Sequence, residues 1–368
     1  MRPLVQPVEF GDLPGWSNDD PTEIVAAMAR CADHVIHVKP YRAGQLGVTV
    51  QDLMPALNAA RERAPADAGE ARRFFEKYFL PYRISAEGEA DGFVTGYYEP
   101  EISVSRNADS RFRYPIYRRP DDLVDLDEDN RPASIDPYFA FGRAQGAGIV
   151  EYFDRHAIET GALAGRGLEI AYAESKVDLF FVHIQGAAKL VYPDGARARI
   201  TYAAKTGHRF TPIGRILVEQ GALARETVTM ESIRRWLRLH PREADELMWR
   251  NRSFIFFREL PVGDETLGPV AAAKVPLSAG RSLAVDRLIH TFGTPFFISS
   301  PTLLHLTGRR PFSRLMLAQD TGSAIVGPAR GDIFTGSGQM AGDMAGSVRH
   351  RADFFVLIPV TAGERSGR

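Results

Sequence analysis

The sequence contains a single cysteine, Cys31, in 368 residues. One cysteine excludes an internal disulfide, and it excludes a metal site built from several thiolates. Cys31 lies in an apolar run with helical spacing, EIVAAMARCADHVI. We therefore predict a buried structural thiol on a helix.

Long apolar runs are also missing. No stretch of about 18 apolar residues occurs, so we expect no transmembrane helix. The first residues, MRPLVQPVEFGDL, lack the apolar core and cleavage site of a signal peptide, and no lipid-attachment cysteine lies near the start. From these residues, a cytoplasmic protein and an exported protein whose export segment is not in this chain are both open.

Several function classes lack their signals. The formal net charge of −1 gives no electrostatic indication of a nucleic-acid partner. No phosphate-binding loop, dinucleotide fingerprint, HExxH pair or GxSxG elbow is present, so we expect no cofactor and no metal. The scattered histidines, His183, His208, His290 and His350, are predicted to be core or surface residues.

The length favours two domains. Helical patterns occupy most of the first hundred residues, at 19–36, 51–64 and 68–82. Strand patterns follow, including DGFVTGYYEPEISVS and ESKVDLFFVHIQG, and a hairpin is predicted around Asp194-Gly195. After a helix pair at 211–221 and 229–249, short strands return, which favours a closed barrel over a parallel α/β sheet.

Two aspartates, Asp320 and Asp332, lie in the C-terminal segment AQDTGSAIVGPARGDIFTGSG. Glycines and small apolar residues surround them, and a carboxyl group in such a frame tends to have a raised pKa, which suits a proton donor. A third acid, Asp286, ends the strand pattern SLAVD. Two interpretations are open: a catalytic cluster at one face of a barrel, or aspartates that cap their own turns.

Two further segments suggest sugar recognition. TGYYEPE carries adjacent tyrosines, Tyr97 and Tyr98, whose rings and hydroxyls suit contacts with sugars, although a core strand with one buried tyrosine fits equally well. HIQGAAKL contains Gln185-Gly186, and a glutamine amide both donates and accepts hydrogen bonds.

Several segments in this order resemble the membrane-bound lytic transglycosylases of the A type, a family with a C-terminal "3D" domain named for three aspartates. The resemblance covers most of the chain, through FGDLPGWSNDD, FVTGYYEPEI, KVDLFFVHIQGAAKLVYPDGARARITYAAKTGHRFTPIGR, NRSFIFFRE, AKVPLSAGRSLAVD and AQDTGSAIVGPARGDIFTGSG.

The resemblance implies a mainly β protein with a helical N-terminal part. Residues 1–104 and 246–368 would form a double-psi β-barrel catalytic domain, with the 3D domain at about 268–360. Residues 105–245 would form an inserted β-rich substrate-binding domain, and a groove between the two would hold a glycan strand.

The resemblance also implies residue roles. Asp332 corresponds to the family's single catalytic acid, and Asp320 and Asp286 would support it. The implied substrate-binding residues are Thr95, Gly96, Tyr97, Tyr98, Glu99, Gln185 and Gly186.

The implied reaction is non-hydrolytic cleavage of the β-1,4 bond between N-acetylmuramic acid and N-acetylglucosamine in peptidoglycan, with a 1,6-anhydro product. Two alternatives remain: a hydrolytic glycosidase that uses Asp320 and Asp332 as a pair, and a non-catalytic wall-binding module. The substrate implies a protein of the periplasm or cell envelope, and an association with the outer membrane would need a segment absent here. We expect a monomer.

Overall fold

The computed structural model describes residues 3–88, 91–261 and 263–366. The chain divides into two compact units. The first, here called the barrel unit, comprises Met1–Tyr98 and Asp264–Arg368, and the second, the insert unit, comprises Glu99–Gly263. The catalytic role expected of residues 1–104 and 246–368, and the substrate-binding role expected of residues 105–245, stay predictions.

The elements are as follows in chain order. The first part of the barrel unit contains β1 (Pro3–Pro7), α1 (Thr22–His37), α2 (Val50–Glu62), α3 (Ala68–Tyr78), β2 (Phe79–Ala86) and β3 (Gly92–Glu99). The insert unit contains β4 (Glu101–Ser105), β5 (Tyr114–Tyr117), β6 (Leu123–Asp125), β7 (Phe141–Gln145), β8 (Gly148–Val150), α4 (Arg155–Ala157), β9 (Glu169–Ala173), α5 (Lys176–Gln185), β10 (Ala187–Val191), β11 (Arg197–Lys205), α6 (Ile213–Glu219), α7 (Met230–Leu239), α8 (Pro241–Trp249) and β12 (Ile255–Leu260). The barrel unit resumes with β13 (Ser282–Val285), β14 (Pro295–Ser300), β15 (Phe312–Asp320), β16 (Arg330–Ser337), α9 (Gln339–Ser347), β17 (Arg349–Pro359) and α10 (Val360–Ser366).

The predicted N-terminal helices are confirmed. The Asp20 carboxylate accepts hydrogen bonds from the backbone N–H and the hydroxyl of Thr22, which fixes the start of α1. Cys31 is fully buried on this helix, as expected. The third helix is shorter than predicted, because α3 ends at Tyr78 and Phe79 begins β2, which pairs with β1 and β17.

Six strands of the barrel unit close into a ring. The hydrogen-bonded order is β17, β14, β15, β13, β16 and β3, and β3 pairs back to β17. This closure agrees with the barrel expected from the strand pattern. The finer double-psi connectivity stays a prediction.

Residues on the ring strands alternate between two apolar cores. Side chains on one face of the strands fill the interior of the ring, and side chains on the other face pack against helices α1–α3. Interior residues include Val94, Leu283, Val285, Phe296, Ile298, Met316, Ile333 and Phe354. Residues between the sheet and the helices include Ile24, Met28, Leu53, Phe75, Phe297, Leu315 and Leu317.

The insert unit contains a six-stranded sheet in the order β12, β11, β10, β4, β9 and β5, and a separate sheet of β6, β7 and β8. The predicted hairpin is confirmed: β10 and β11 pair antiparallel, and Gly195 has a φ of 83° in the turn.

One prediction in the insert unit is wrong. The segment ESKVDLFFVHIQG was expected to be a strand, but it folds as helix α5. The Ser175 hydroxyl accepts the backbone N–H of Asp178 at the start, and Gly186 ends the helix with a φ of 82°. These end signals favour a helix. The apolar pattern resembles a strand because five successive residues of the helix, Leu179 to His183, are buried.

None of the helices in the described ranges combines the length and the apolar character needed to cross a membrane.

Candidate active site

Asp320 and Asp332 lie on either side of one residue of the barrel ring. Ala284 on β13 is paired with Asp332 on β16 and with Asp320 at the end of β15. Directly paired residues project from the same face of a sheet, so the Asp332 carboxyl group lies beside the Ala284 methyl group. The β13–β15 register shifts by one residue between Leu283 and Ala284, and Asp320 is joined to this face by its hydrogen bond with Tyr97. Neighbouring strands are about 4.8 Å apart, which places the two aspartate Cα atoms about 10 Å from each other. Of the three aspartates expected at one face of the barrel, Asp320 and Asp332 are brought together here.

The other face of these strands explains why the acids point outward. Ile333, next to Asp332, is part of the interior core, as are Leu283 and Val285 on either side of Ala284. Strand alternation therefore directs Asp332 and Ala284 to the outer side of the ring.

Strand β3 supplies two hydroxyl groups to the same face. Thr95 Oγ1 donates to Asp332 Oδ1 at 2.6 Å, and the Tyr97 hydroxyl donates to Asp320 Oδ2 at 3.0 Å. Thr95 and Tyr97 are two residues apart on a strand, so they share a face, and each contacts one of the aspartates.

Asp320 is held by several donors. Besides the Tyr97 hydroxyl, Asp320 Oδ1 accepts the backbone N–H groups of Ala272 at 3.2 Å and Thr321 at 2.9 Å. Burial raises the pKa of Asp320, and these hydrogen bonds, together with the charge of Lys274, oppose the rise because they stabilise the carboxylate.

Asp332 has the larger perturbation. Burial raises the pKa of Asp332 to about 6, and the nearby Asp320 charge acts in the same direction. The Thr95 hydrogen bond and the Arg330 charge oppose that rise. A carboxyl group with this pKa is half protonated near pH 6 and still about one-tenth protonated at pH 7, so it can act as a general acid.

Arg330 was not among the residues predicted from sequence. Its Nη2 atom donates to Thr95 Oγ1 at 2.7 Å, and its guanidinium lies 5.6 Å from the centre of the Phe93 ring. Burial lowers the pKa of Arg330. The one sequence signal for it is its position two residues before Asp332, which places both side chains on one face of a strand.

The adjacent tyrosines do not form one aromatic surface. Tyr98 points to the opposite face from Tyr97, is buried, and packs beneath α9 against Gly342. The interpretation as a core strand with one buried tyrosine is therefore the one that fits. Gly96 has a related role, because a Cβ atom there would lie 2.9 Å from the backbone of Ala345 on α9.

Glu99 is fully buried in the insert unit. Arg199 Nε lies 2.6 Å from Glu99 Oε1, and Arg199 Nη2 donates to Oε2 at 3.1 Å, a two-point ion pair across the insert sheet. A carboxylate in this setting holds the fold together and is not open to a sugar.

Asp286 caps a turn rather than facing Asp332. Its two carboxylate oxygens accept the backbone N–H groups of Leu288 at 3.0 Å and Gly327 at 2.9 Å. The second bond fixes the loop between β15 and β16, which carry the other two aspartates. Asp286 thus fixes the backbone of this loop, and its supporting role in the site stays a prediction.

Gln185 and Gly186 lie at the C-terminal end of α5 in the insert unit. The Gly186 N–H donates to the Val182 carbonyl at 2.9 Å, and the Gly186 carbonyl accepts the N–H of Tyr202 at 2.8 Å. The backbone here is fixed by helix and sheet together.

Across the described ranges, no group of three or more His, Cys, Asp or Glu side chains is arranged to hold a metal ion.

Comparison with known proteins identifies both units. The family described as "MltA specific insert domain" matches residues 93–258, and the family described as "3D domain" matches residues 281–358. The class is therefore that of 3D-domain proteins with an MltA-specific insert.

Individual relatives agree. The chain is 33% identical to "Membrane-bound lytic murein transglycosylase A" of Escherichia coli strain K12 over 269 residues, which is 72% of this chain and 64% of that protein. A crystal structure of a membrane-bound lytic murein transglycosylase from Agrobacterium tumefaciens is 58% identical with a TM-score of 0.93, covering 98% of this chain and 99% of that one. The structure of E. coli MltA with bound chitohexaose is 28% identical with a TM-score of 0.67, covering 90% of this chain and 89% of that one.

The chain belongs to the membrane-bound lytic murein transglycosylase A family.

Proposed function

We propose that this protein is a peptidoglycan lytic transglycosylase in which Asp332 acts as the only acid and base. The observation that carries the proposal is the Asp332 carboxyl group itself. It lies half-buried on the outer face of a closed ring of strands, is oriented by Thr95, and has its pKa raised to about 6.

The proposed reaction has two proton transfers. Protonated Asp332 donates its proton to the glycosidic oxygen as the bond to C1 of N-acetylmuramic acid breaks. The Asp332 carboxylate then takes the proton from the muramyl C6 hydroxyl, whose oxygen forms the new bond to C1. The products are a 1,6-anhydromuramyl end and an N-acetylglucosamine end, and Asp332 is protonated again.

Both steps use general acid–base catalysis, which contributes roughly 10²–10⁴-fold. The nucleophile belongs to the substrate, so its proximity replaces an activated water molecule. The reaction is an intramolecular substitution at C1 without hydrolysis, and an enzyme of this kind is classed as a lyase that acts on a polysaccharide.

The proposed role of Asp320 is electrostatic. Its oxygens accept two backbone N–H groups and the Tyr97 hydroxyl, which favours the ionised form. A negative charge there raises the proton affinity of Asp332. This arrangement gives little support to a hydrolytic pair, since a nucleophile or base would need an oxygen directed at the substrate.

The proposed substrate is the glycan strand of peptidoglycan. The chitohexaose bound to the E. coli relative supports a glycan ligand. We assign Thr95 and Tyr97 to the acid's immediate surroundings, and Gly96 and Tyr98 to the packing that fixes β3. Glu99 holds the insert fold, and we propose Gln185 and Gly186 as glycan contacts on the insert unit.

The substrate places the protein in the cell envelope. The names of the relatives include "membrane-bound", which supports this location.

Mass spectrometry of soluble products released from purified sacculi tests the function. We expect anhydromuramyl ends from the wild-type protein and none from Asp332→Asn. Asp33→Asn, which removes an exposed carboxylate on α1, serves as the matched control and should leave the products unchanged.

Other outcomes are equally informative. Products heavier by one water would identify a hydrolase. Binding to sacculi without any soluble product would identify a wall-binding module. Anhydro products from Asp332→Asn would overturn the assignment of Asp332.

A further inference from the structure

Three side chains at the site form a chain of hydrogen bonds. Arg330 Nη2 donates to Thr95 Oγ1 at 2.7 Å, and Thr95 Oγ1 donates to Asp332 Oδ1 at 2.6 Å. Both distances are typical of strong hydrogen bonds with charged partners.

The direction of these two hydrogen bonds follows from the number of hydrogen atoms that each group can donate. A guanidinium group has donors but no acceptor, so the Thr95 oxygen must accept from Arg330. A hydroxyl has one hydrogen, and the remaining geometry sends it to Asp332 Oδ1. That oxygen of Asp332 is therefore an acceptor, and a proton on the carboxyl group belongs on Oδ2.

We propose that Arg330 is a positioning residue that acts through Thr95 to hold the transferable proton of Asp332 on Oδ2. The inference rests on the proposed function, because it concerns the same acid. Without Arg330, the Thr95 hydroxyl could rotate and accept a proton from Oδ1, which would direct the acid away from the glycosidic oxygen.

Arg330 is itself fixed in place. One guanidinium nitrogen donates to the Gly331 carbonyl, and the guanidinium lies against the Phe93 ring. A half-buried guanidinium held by an aromatic ring and a carbonyl keeps one orientation, so its bond to Thr95 is preorganised.

The charge of Arg330 has a second effect, which acts directly on Asp332. The ionisable groups that act on Asp332 are Asp320 at the end of β15, Tyr97 on β3 and Arg330 on β16 itself. Only Arg330 is cationic among them, and it opposes the rise in the Asp332 pKa that burial and Asp320 cause. Loss of the cation should raise the pKa of Asp332.

The two effects predict separate readouts. In Arg330→Gln, we expect kcat to fall by about 10-fold to 100-fold because the proton is misplaced. We also expect the alkaline limb of kcat/KM to move up by at least about half a pH unit. Arg330→Lys keeps the charge, so its alkaline limb should stay near that of the wild type. Arg61→Gln, which breaks an exposed ion pair with Asp33, is the matched control.

A double-mutant cycle of Arg330→Gln with Thr95→Val isolates the effect that Arg330 exerts through the Thr95 hydroxyl, here called the relay. Because Arg330 acts on proton placement through Thr95, the double variant should have the kcat of Thr95→Val alone. Thr95→Ser keeps the hydroxyl and should recover most of the activity. Additive losses of kcat in the double variant would overturn the positioning role of Arg330. An unchanged alkaline limb in Arg330→Gln would overturn the direct effect of its charge on Asp332.

A carboxyl ¹³C titration of Asp332, assigned with Asp332→Asn, gives a measurement that needs no turnover. If the wild type releases no anhydro product but Arg330→Gln raises the Asp332 pKa, the proposed function fails and the link between Arg330 and Asp332 stands. If anhydro products form and Arg330→Gln changes neither kcat nor the titration, the inference about Arg330 fails by itself. Arg330→Lys and Thr95→Val serve the same measurements should Arg330→Gln prove unstable.

Discussion

Asp320 and Asp332 are both strand partners of Ala284: Asp320 lies on the strand to one side of it, β15, and Asp332 on the strand to the other side, β16. The two acids have unlike surroundings despite this symmetry. Asp320 accepts two backbone N–H groups and a tyrosine hydroxyl, whereas Asp332 accepts the Thr95 hydroxyl and has a pKa of about 6. Two carboxyl groups in environments that separate their protonation states can take different roles.

The raised pKa of Asp332 predicts the pH dependence of activity. The acid must be protonated in the free enzyme, so kcat/KM should be high below pH 6 and decline above it, with an apparent pKa of about 6. The base step uses the carboxylate formed within the same turnover, so Asp332 should cause no decline on the acidic side. Initial rates of anhydro-product release between pH 4.5 and 8 measure this; an alkaline limb absent throughout that range would contradict the assignment.

The same shift predicts a stability change in Asp332→Asn. The folded protein binds the Asp332 proton more tightly than the unfolded chain does, so the wild type loses stability as pH rises from about 4 to about 6. Asparagine avoids this loss. Asp332→Asn should therefore be more stable than the wild type by about 1–2 kcal/mol at pH 7.5, a range reduced for the partial exposure of the group.

Urea unfolding at pH 4 and pH 7.5 checks this expectation. The two proteins should differ by less at pH 4, where Asp332 is protonated in the folded wild type and about half protonated in the unfolded chain. Equal free energies of unfolding at pH 7.5 would show that the folded protein does not disfavour the ionised form of Asp332.

Tyr97→Phe tests the supporting role of Asp320. The change removes the hydroxyl that donates to Asp320 Oδ2, so the pKa of Asp320 should rise and the free energy of unfolding should fall by about 1 kcal/mol. Anhydro products should still form, at a reduced rate. A switch to hydrated products, seen by mass, would show that Asp320 takes part in the chemistry.

The Glu99–Arg199 pair predicts a strong effect away from the acids. Glu99→Ala leaves a buried guanidinium without its counter-ion and should cost about 3–5 kcal/mol. Replacing both residues with methionine should recover much of that stability, because no buried charge remains. Denaturant midpoints of the single and double variants measure the difference, and a small loss in Glu99→Ala would show that the pair is not structural.

Gly96→Ala tests the approach of α9 to β3. The added methyl group would meet the Ala345 backbone at 2.9 Å, so the helix must move and stability should fall by about 1–3 kcal/mol. Gly346→Ala on the same helix is the control, because a Cβ there meets nothing within 4 Å. Its expected effect is a stabilisation of about 0.5–1 kcal/mol. Equal thermal midpoints for the two variants would contradict the close packing.

The sequence was informative where local rules decide structure. Helices α1 and α2 and the Gly195 hairpin follow from end signals, periodicity and turn chemistry, and all three are confirmed. Segment α5 was misread because its consecutive apolar residues are buried on every side, which removes the helical period that would have identified it.

The site was less predictable because it depends on long-range pairing. The sequence placed Asp320 and Asp332 in strand segments, but their shared partner Ala284 depends on one parallel and one antiparallel pairing within the ring. The relay from Arg330 depends on β3, which lies more than two hundred residues earlier in the chain than Arg330. Strand alternation alone could have separated Tyr97 from Tyr98.

The ring of strands also constrains the order of events during synthesis. Strand β3 precedes the entire insert unit, Glu99–Gly263, yet its ring partners β16 and β17 follow it. At about 5–20 residues per second, the ribosome needs on the order of ten seconds or more to make the insert. We expect the contiguous insert to fold first, while β3 lacks its ring partners until Arg349–Pro359 has been made and the ring can close.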